Sequence, residues 1–347
     1  MNQDSTLGLR TEADENASSR KEDHIDLAFK SAVADMQKDN RFYYEPMLSG
    51  HPNEGSLLDR TFLGRKLRFP LLVSSMTGGT EKARLINKNL AKVCGQFGLG
   101  MGLGSCRQLL YEDRRLDEFN IRPYMPEQVL LMNLGIAQIE ELIDKKETER
   151  ITELASKLDS DALIVHVNPL QEWLQPEGDV ISRPPIETVE TLMGLIDMPV
   201  VVKEVGQGFG KESLRRLLKL PLAAIDLAGF GGTNFSKLEL LRSDEVKYES
   251  FAPVFTLGHS CNEMIDLVNG FFDDEGEDQR CHNIIISGGI KNFLDGYYLM
   301  KKSKVPAMYA QASAFLKHAM DYDELEKFVR YQTEGLKMAN AFLSLKQ

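Results

Sequence analysis

The sequence predicts an α/β fold, a single (β/α)8 TIM barrel, on three observations. Eight short apolar runs recur along the 347 residues, amphipathic stretches fill the intervals, and polar or glycine-rich residues cluster where the runs end. The runs are LLVSS (71–75), GLGMGL (98–103), VLLMN (129–133), ALIVHV (162–167), VVVKEV (200–205), AAIDLAG (223–229), IIISGG (284–289) and AMYAQA (307–312). A ninth run, PVFTL (253–257), falls between two well-separated units and is assigned to a connection. Helical spacing is clearest in IAQIEELIDKKETERITELASKL and KESLRRLLKL, and a final helix is expected over roughly 322–344. Ahead of the first run, KEDHIDLAFKSAVADM sets Ile25, Ala28, Phe29, Ala32 and Val33 at helical spacing, so an amphipathic helix is expected from Lys21. Residues 1–20 read as a flexible tail and 21–347 as one barrel domain, because no linker composition divides them. An open doubly wound sheet is disfavoured, since no strand is followed by GxGxxG and a helix.

The formal charge of -11 argues against a broad electrostatic footprint on nucleic acid or anionic membranes, so an anionic ligand must be met by specific Lys and Arg residues. Four scattered cysteines, Cys94, Cys106, Cys261 and Cys281, make no CxxC and no zinc spacing, and are expected as reduced thiols. No apolar run is long enough to span a bilayer, and the polar start MNQDSTLGLRTEADENASSR has no signal-peptide core, so a cytoplasmic protein is expected.

In a barrel, functional groups belong at the carboxyl ends of the strands. Two glycine-rich turns, GFGGTNF (229–235) and SGGIKN (287–292), follow late runs, beside the small Ala310 and Ala312 of the last one. Glycine lets backbone N–H groups approach a phosphate closely, and two such turns at neighbouring positions favour a phosphate-bearing ligand over plain tight turns. SSMTGGT (74–80) ends the first run with hydroxyls and a thioether, which suits a planar ring such as a flavin. Lys203 is a costly lysine at a strand tip. It is consistent with an ion pair to Glu204 or Asp226, with stabilisation of the N1/O2 side of a reduced flavin, or with a Schiff base.

The fourth run opens into HVNPLQEWLQPEGD (166–179), which brings an imidazole, amides and carboxylates together. With Arg107 and the Arg20-Lys21 pair, His166 and Asn168 suit a diphosphate, and Gln171 could orient a substrate or relay a proton. Glu172 beside such an anion calls for a bridging Mg2+. Glu177-Gly178-Asp179 is read as ordering the loop.

These motifs resemble one family, the type 2, FMN-dependent isopentenyl-diphosphate delta-isomerases. The resemblance runs from RKEDHI through FLG, PLLVSSMTGGT, GMGLGS, MNLG, HVNPLQEWLQPEGD, VVKEVGQGFG, IDLAGFGGTNF and ISGGIKN, between about residues 20 and 315. It implies interconversion of isopentenyl and dimethylallyl diphosphates in isoprenoid biosynthesis, using reduced FMN and Mg2+, with NAD(P)H as electron donor, in a homo-oligomer of four or eight subunits. It implies flavin contacts at Ser75, Met76, Thr77, Ser105, Asn133, Lys203 and Thr233, with the flavin phosphate at Gly288, Gly289, Lys291, Ala310 and Gln311. The substrate diphosphate would meet Arg20, Lys21, Ser105, Arg107, His166, Asn168 and Gln171, and Glu172 would bind Mg2+. His166 and Gln171 are the implied catalytic candidates.

The chain departs from the family pattern at Cys106, where the family has Gln, and across FAPVFTLGHSC (251–261) and DGYYLMKKSKVPAM (295–308). Two other functions remain open: an FMN barrel that oxidises 2-hydroxy acids, and a flavin- or diphosphate-binding protein without catalysis.

Overall fold

The computed structural model describes residues 17–53, 55, 58–75 and 80–346. The chain divides into two compact units, one of residues 1–43 with Lys346, the other of residues 44–345 with Gln347. The larger unit is a closed barrel of eight parallel strands: β1 (Leu71–Val73), β2 (Gly100–Gly102), β3 (Leu130–Gly135), β4 (Ala162–Val167), β5 (Val200–Glu204), β6 (Ala224–Asp226), β7 (Ile284–Ser287) and β8 (Ala307–Gln311). Each strand pairs with the next in sequence, and β8 returns to β1 through Tyr309 opposite Leu71. All eight expected strands are present. PVFTL lies in a 3-10 turn, Ala252–Thr256, outside the sheet.

Helices cover the barrel: α1 (Glu81–Phe97), α2 (Ile136–Lys145), α3 (Glu149–Leu158), α4 (Pro169–Leu174), α5 (Pro185–Met193), α6 (Lys211–Leu218), α7 (Phe235–Leu241), α8 (Cys261–Glu275), α9 (Phe293–Lys302) and α10 (Tyr322–Phe342). The long helical pattern after β3 is two helices, because Lys146 takes a left-handed conformation (φ 58°) that no α-helix can continue through. Among the described residues no helix is long and apolar enough to cross a membrane.

Side chains on a strand alternate in direction, so residues two apart share a face. One face packs the barrel interior with Leu72, Leu131, Ile164, Val201, Ala224, Ile285 and Met308. Phe62 and Leu67, from an antiparallel hairpin of Arg60–Phe62 and Arg65–Leu67, join the same cluster beside the strand beginnings at Val129, Ala162 and Ala224, and so plug the amino-terminal end. The glycines of β2 are part of this packing: a Cβ at Gly102 would stand 2.7 Å from Ser75 Oγ and 3.1 Å from Ile164 Cδ1.

In the smaller unit the helix spans Ala17–Leu27, four residues earlier at its start than the expected boundary. The expected apolar face does not persist: the helix ends before Phe29 and Val33, and Ile25, Phe29 and Val33 are all exposed.

Candidate functional site

Two residues beyond the apolar layer, the same inward faces turn polar. Leu131 is followed by Asn133, Ile164 by His166, Val201 by Lys203, Ala224 by Asp226 and Ile285 by Ser287. This ring opens into a cavity of about 630 Å³ at the carboxyl end of the strands. The cavity is lined by Ser75, Ser105, Asn133, His166, Gln171, Lys203, Thr233, Gly288, Gly289, Lys291, Ala310 and Gln311, so twelve residues named from the sequence converge on one space. Met76 and Thr77 lie outside the described residues. Arg20 and Lys21 belong to the smaller unit.

Lys203 and Asp226 are partners in the register of β5 and β6. Lys203 Nζ lies 3.1 Å from Asp226 Oδ2 and donates to Ser287 Oγ at 3.3 Å, while Ser287 Oγ donates to Asp226 Oδ1. Both charged side chains are buried, so each neutralises a partner that would be costly alone. Glu204, the other candidate partner, faces away from the pair. Its Oε2 accepts from the amides of Gly206, Gln207 and Gly208 at 2.6, 2.6 and 2.8 Å, which fixes the turn after β5. Burial raises the Glu204 carboxyl above its usual range, against the pull of those three donors.

On the opposite wall Asn133 Nδ2 donates to Leu103 O at 3.1 Å, which leaves Asn133 Oδ1 2.8 Å from His166 Nδ1. That arrangement assigns the ring proton to Nδ1. The imidazole touches the cavity but is otherwise enclosed by protein, and burial together with the Lys203 charge pushes its pKa from 6.5 down to about 4. Gly135 makes this possible, since a Cβ there would sit 2.9 Å from His166 Nε2.

The segment after β4 is tied together by its own side chains. Asn168 Nδ2 donates to Gln171 Oε1 at 3.2 Å and to Glu172 Oε1 at 2.8 Å, and Glu172 Oε2 accepts from the Asp179 amide at 2.8 Å. Arg107 pairs with Asp179 at 2.5 Å, and Gln138 Nε2 donates to the same carboxylate at 2.8 Å. Arg107, Asn168 and Glu172 thus form a network behind Gln171. Among the described residues no three His, Cys, Asp or Glu gather as a metal site.

Glu239 of α7 carried no role in the sequence reading. It is buried, its Oε1 accepts from Gln171 Nε2 at 3.4 Å, and its Oε2 accepts from Arg242 Nη1 at 2.6 Å. The helical spacing in NFSKLELL marks an inward position but not the polar contact made there.

The late strands supply a backbone cradle. Gly231, Gly288 and Gly289 have φ of 113°, 84° and 71°, and a Cβ on Gly288 would fall 2.1 Å from Gly229 O. Gly232 meets the Gly289 amide nitrogen at 3.0 Å in the same sense, so the two glycine-rich turns interlock backbone to backbone. Gln311 Nε2 donates to Ile290 O at 3.2 Å and joins β8 to the cradle. The buried Ser75 Oγ and Gln311 Oε1 have no hydrogen-bond partner among the described residues. Buried polar atoms left so cost about 1–3 kcal/mol each, and both residues line the cavity, where a polar ligand would satisfy them. The lining fits a polar, phosphate-bearing ligand such as FMN, with a glycine backbone cradle on one side and unpartnered polar atoms to be satisfied. The four cysteines are buried and unbridged.

No family model matches the chain. In overall structure it is similar to flavocytochrome b2 with sulfite bound (TM-score 0.60, 14% identity, 87% of this chain and 72% of that one) and to a mandelate oxidase variant (TM-score 0.54, 12% identity, 88% of each). That likeness concerns the barrel. Sequence relatives are nearer. The isopentenyl-diphosphate delta-isomerase of Nostoc sp. is 35% identical over 284 residues, covering 80% of this chain and 78% of the relative. Those of Rickettsia bellii (35%; 75% and 72%) and Pseudescherichia vulneris (34%; 87% and 86%) agree with it. Identity at this level over most of both lengths places the chain among them, and it belongs to the isopentenyl-diphosphate delta-isomerase family.

Proposed function

We propose that the chain is the type 2, FMN-dependent form of this isomerase, interconverting isopentenyl and dimethylallyl diphosphates with Mg2+ bound. The observation that carries the proposal is the convergence of a phosphate cradle, a buried Lys203–Asp226 pair and the His166–Gln171 wall on one cavity. Moving an allylic hydrogen requires protonating an unactivated alkene and removing a different proton, and reduced FMN supplies an electron-rich surface for that exchange.

The residues of the chain divide the remaining work. Lys203, held by Asp226 and Ser287, places a fixed positive charge at the barrel axis for the electron-rich side of the ring. Ser75 and Gln311 offer their unpartnered oxygens to polar edges of the cofactor. His166, Asn168, Ser105 and Arg107 would hold the diphosphate, and Glu172 would bind Mg2+. Anchoring that end orients the alkene against the ring, which is the entropic part of the catalysis. Gln171 with Glu239 is the polar pair on that wall for moving a proton. NAD(P)H as reductant, a homo-oligomer of four or eight copies and a cytoplasmic setting belong to the same proposal.

The test is anaerobic incubation with isopentenyl diphosphate, reduced FMN and Mg2+. Equilibration to dimethylallyl diphosphate is expected. No conversion by a protein that binds FMN would overturn the reading, and lactate or mandelate oxidation would replace it.

A further inference from the structure

Past the phosphate cradle the cavity continues along the segment after β8, where Ala312, Ser313, Ala314, Lys317 and His318 line it with Phe328 of α10. Lys317 is the cation of this extension. Its amide donates to Ser313 O at 3.1 Å, which sets it one turn beyond the strand end. Around the barrel mouth Arg107 is matched by Asp179, Lys203 by Asp226, and Arg242 by Glu177 and Glu239, whereas the lining Lys291 forms no ion pair among the described residues. Among the described residues Lys317 has no carboxylate partner, although the chain carries 52 acidic residues against 41 basic ones. Lys317 is exposed at the rim, so together with Lys291 it gives this end of the cavity two lysines without carboxylate partners, a place for an anionic group.

The surroundings say which part of a ligand that is. Ser287 and Ala310 are register partners on β7 and β8, and the Gln311 contact with Ile290 joins the following loops. The segment bearing Lys317 is therefore coupled to Gly288 and Gly289. Its backbone is steadied by His318, whose ring stacks on Phe328 at 4.9 Å and 20°, while Phe328 meets the buried Phe315 edge-on at 5.4 Å.

We propose that Lys317 is a phosphate-binding residue of the flavin site, acting with Lys291 and the glycine cradle to select the phosphorylated cofactor over riboflavin. The inference rests on the FMN reading above and deepens it. A charge-assisted contact from an ammonium to a phosphate oxygen corresponds to roughly ten- to a hundredfold in affinity.

The experiment compares FMN and riboflavin binding to the apo full-length chain by quenching of flavin fluorescence, for wild type, Lys317→Met and Lys317→Arg. Wild type is expected to prefer FMN. Lys317→Met should lose about ten- to a hundredfold in FMN affinity with riboflavin affinity unchanged, and Lys317→Arg should restore most of the preference. An FMN-to-riboflavin ratio in Lys317→Met within about twofold of wild type overturns the proposal and leaves the FMN reading intact. Equal loss for both flavins marks a structural role and also overturns it. Failure of wild type to bind either flavin overturns the proposal together with the reading beneath it.

Discussion

Asp226→Asn removes the one carboxylate that neutralises Lys203 while keeping the shape of the side chain. At a separation of 3.1 Å and an effective dielectric near 20, the attraction lost is about 5 kcal/mol. The Asn oxygen retains a hydrogen bond to the ammonium, worth about 1.5 kcal/mol, so the apo protein should lose about 3–4 kcal/mol, in the range for a broken buried pair. The double variant Lys203→Met/Asp226→Asn removes the stranded charge and should recover most of that loss. Urea unfolding of the apo protein followed by far-UV circular dichroism measures both. An Asp226→Asn variant within about 1 kcal/mol of wild type, or a double variant no more stable than the single one, would refute the claim that this pair is a coupled unit. A third outcome discriminates function: reduced FMN should stabilise Asp226→Asn more than wild type, because the flavin then supplies the missing counter-charge.

Three further outcomes follow from the site. Glu172→Gln should raise the Mg2+ needed for diphosphate binding by roughly tenfold, and Trp173, the only tryptophan and 78% exposed beside Glu172, reports it by fluorescence; an unchanged midpoint removes Glu172 from the metal site. His166 is held near pH 4 when folded against 6.5 when unfolded, so the unfolded chain binds the extra proton across that window and stability rises with pH through it. The contribution is full above pH 6.5, amounts to at most about 3 kcal/mol, and should vanish from the pH slope of His166→Gln; an identical slope contradicts the assignment. Gly288→Ala, whose Cβ would meet Gly229 O at 2.1 Å with φ at 84°, should cost at least about tenfold in FMN affinity, and undiminished binding by equilibrium dialysis would show that the cradle is not where the phosphate sits.

The barrel was legible because apolar runs and helical stretches alternate with little interruption, and period-two packing then places the residues that follow each run at one rim. Asn133, His166 and Lys203 could be read as site residues on that basis alone. Partnerships were less accessible. Nothing in VVVKEV distinguishes Asp226 from Glu204 as the mate of Lys203; the register of β5 with β6 decides it. Glu239 escaped notice because its meeting with Gln171 joins helices α4 and α7, 68 residues apart. The split between α2 and α3 was hidden because Lys146 is an ordinary helix former whose left-handed conformation is set by context. The exposed Phe29 and Val33 show the reverse failure, in which helical spacing exists without a helix to use it.

The central claim is that this cavity lets one alkene gain a proton at one carbon and lose another elsewhere. Isopentenyl diphosphate turned over anaerobically in D2O with reduced FMN and Mg2+ tests it most directly, with the product followed by NMR. The account predicts dimethylallyl diphosphate carrying solvent deuterium in the newly formed methyl group. Product that accumulates without deuterium would contradict it, as would the absence of product from protein loaded with reduced flavin.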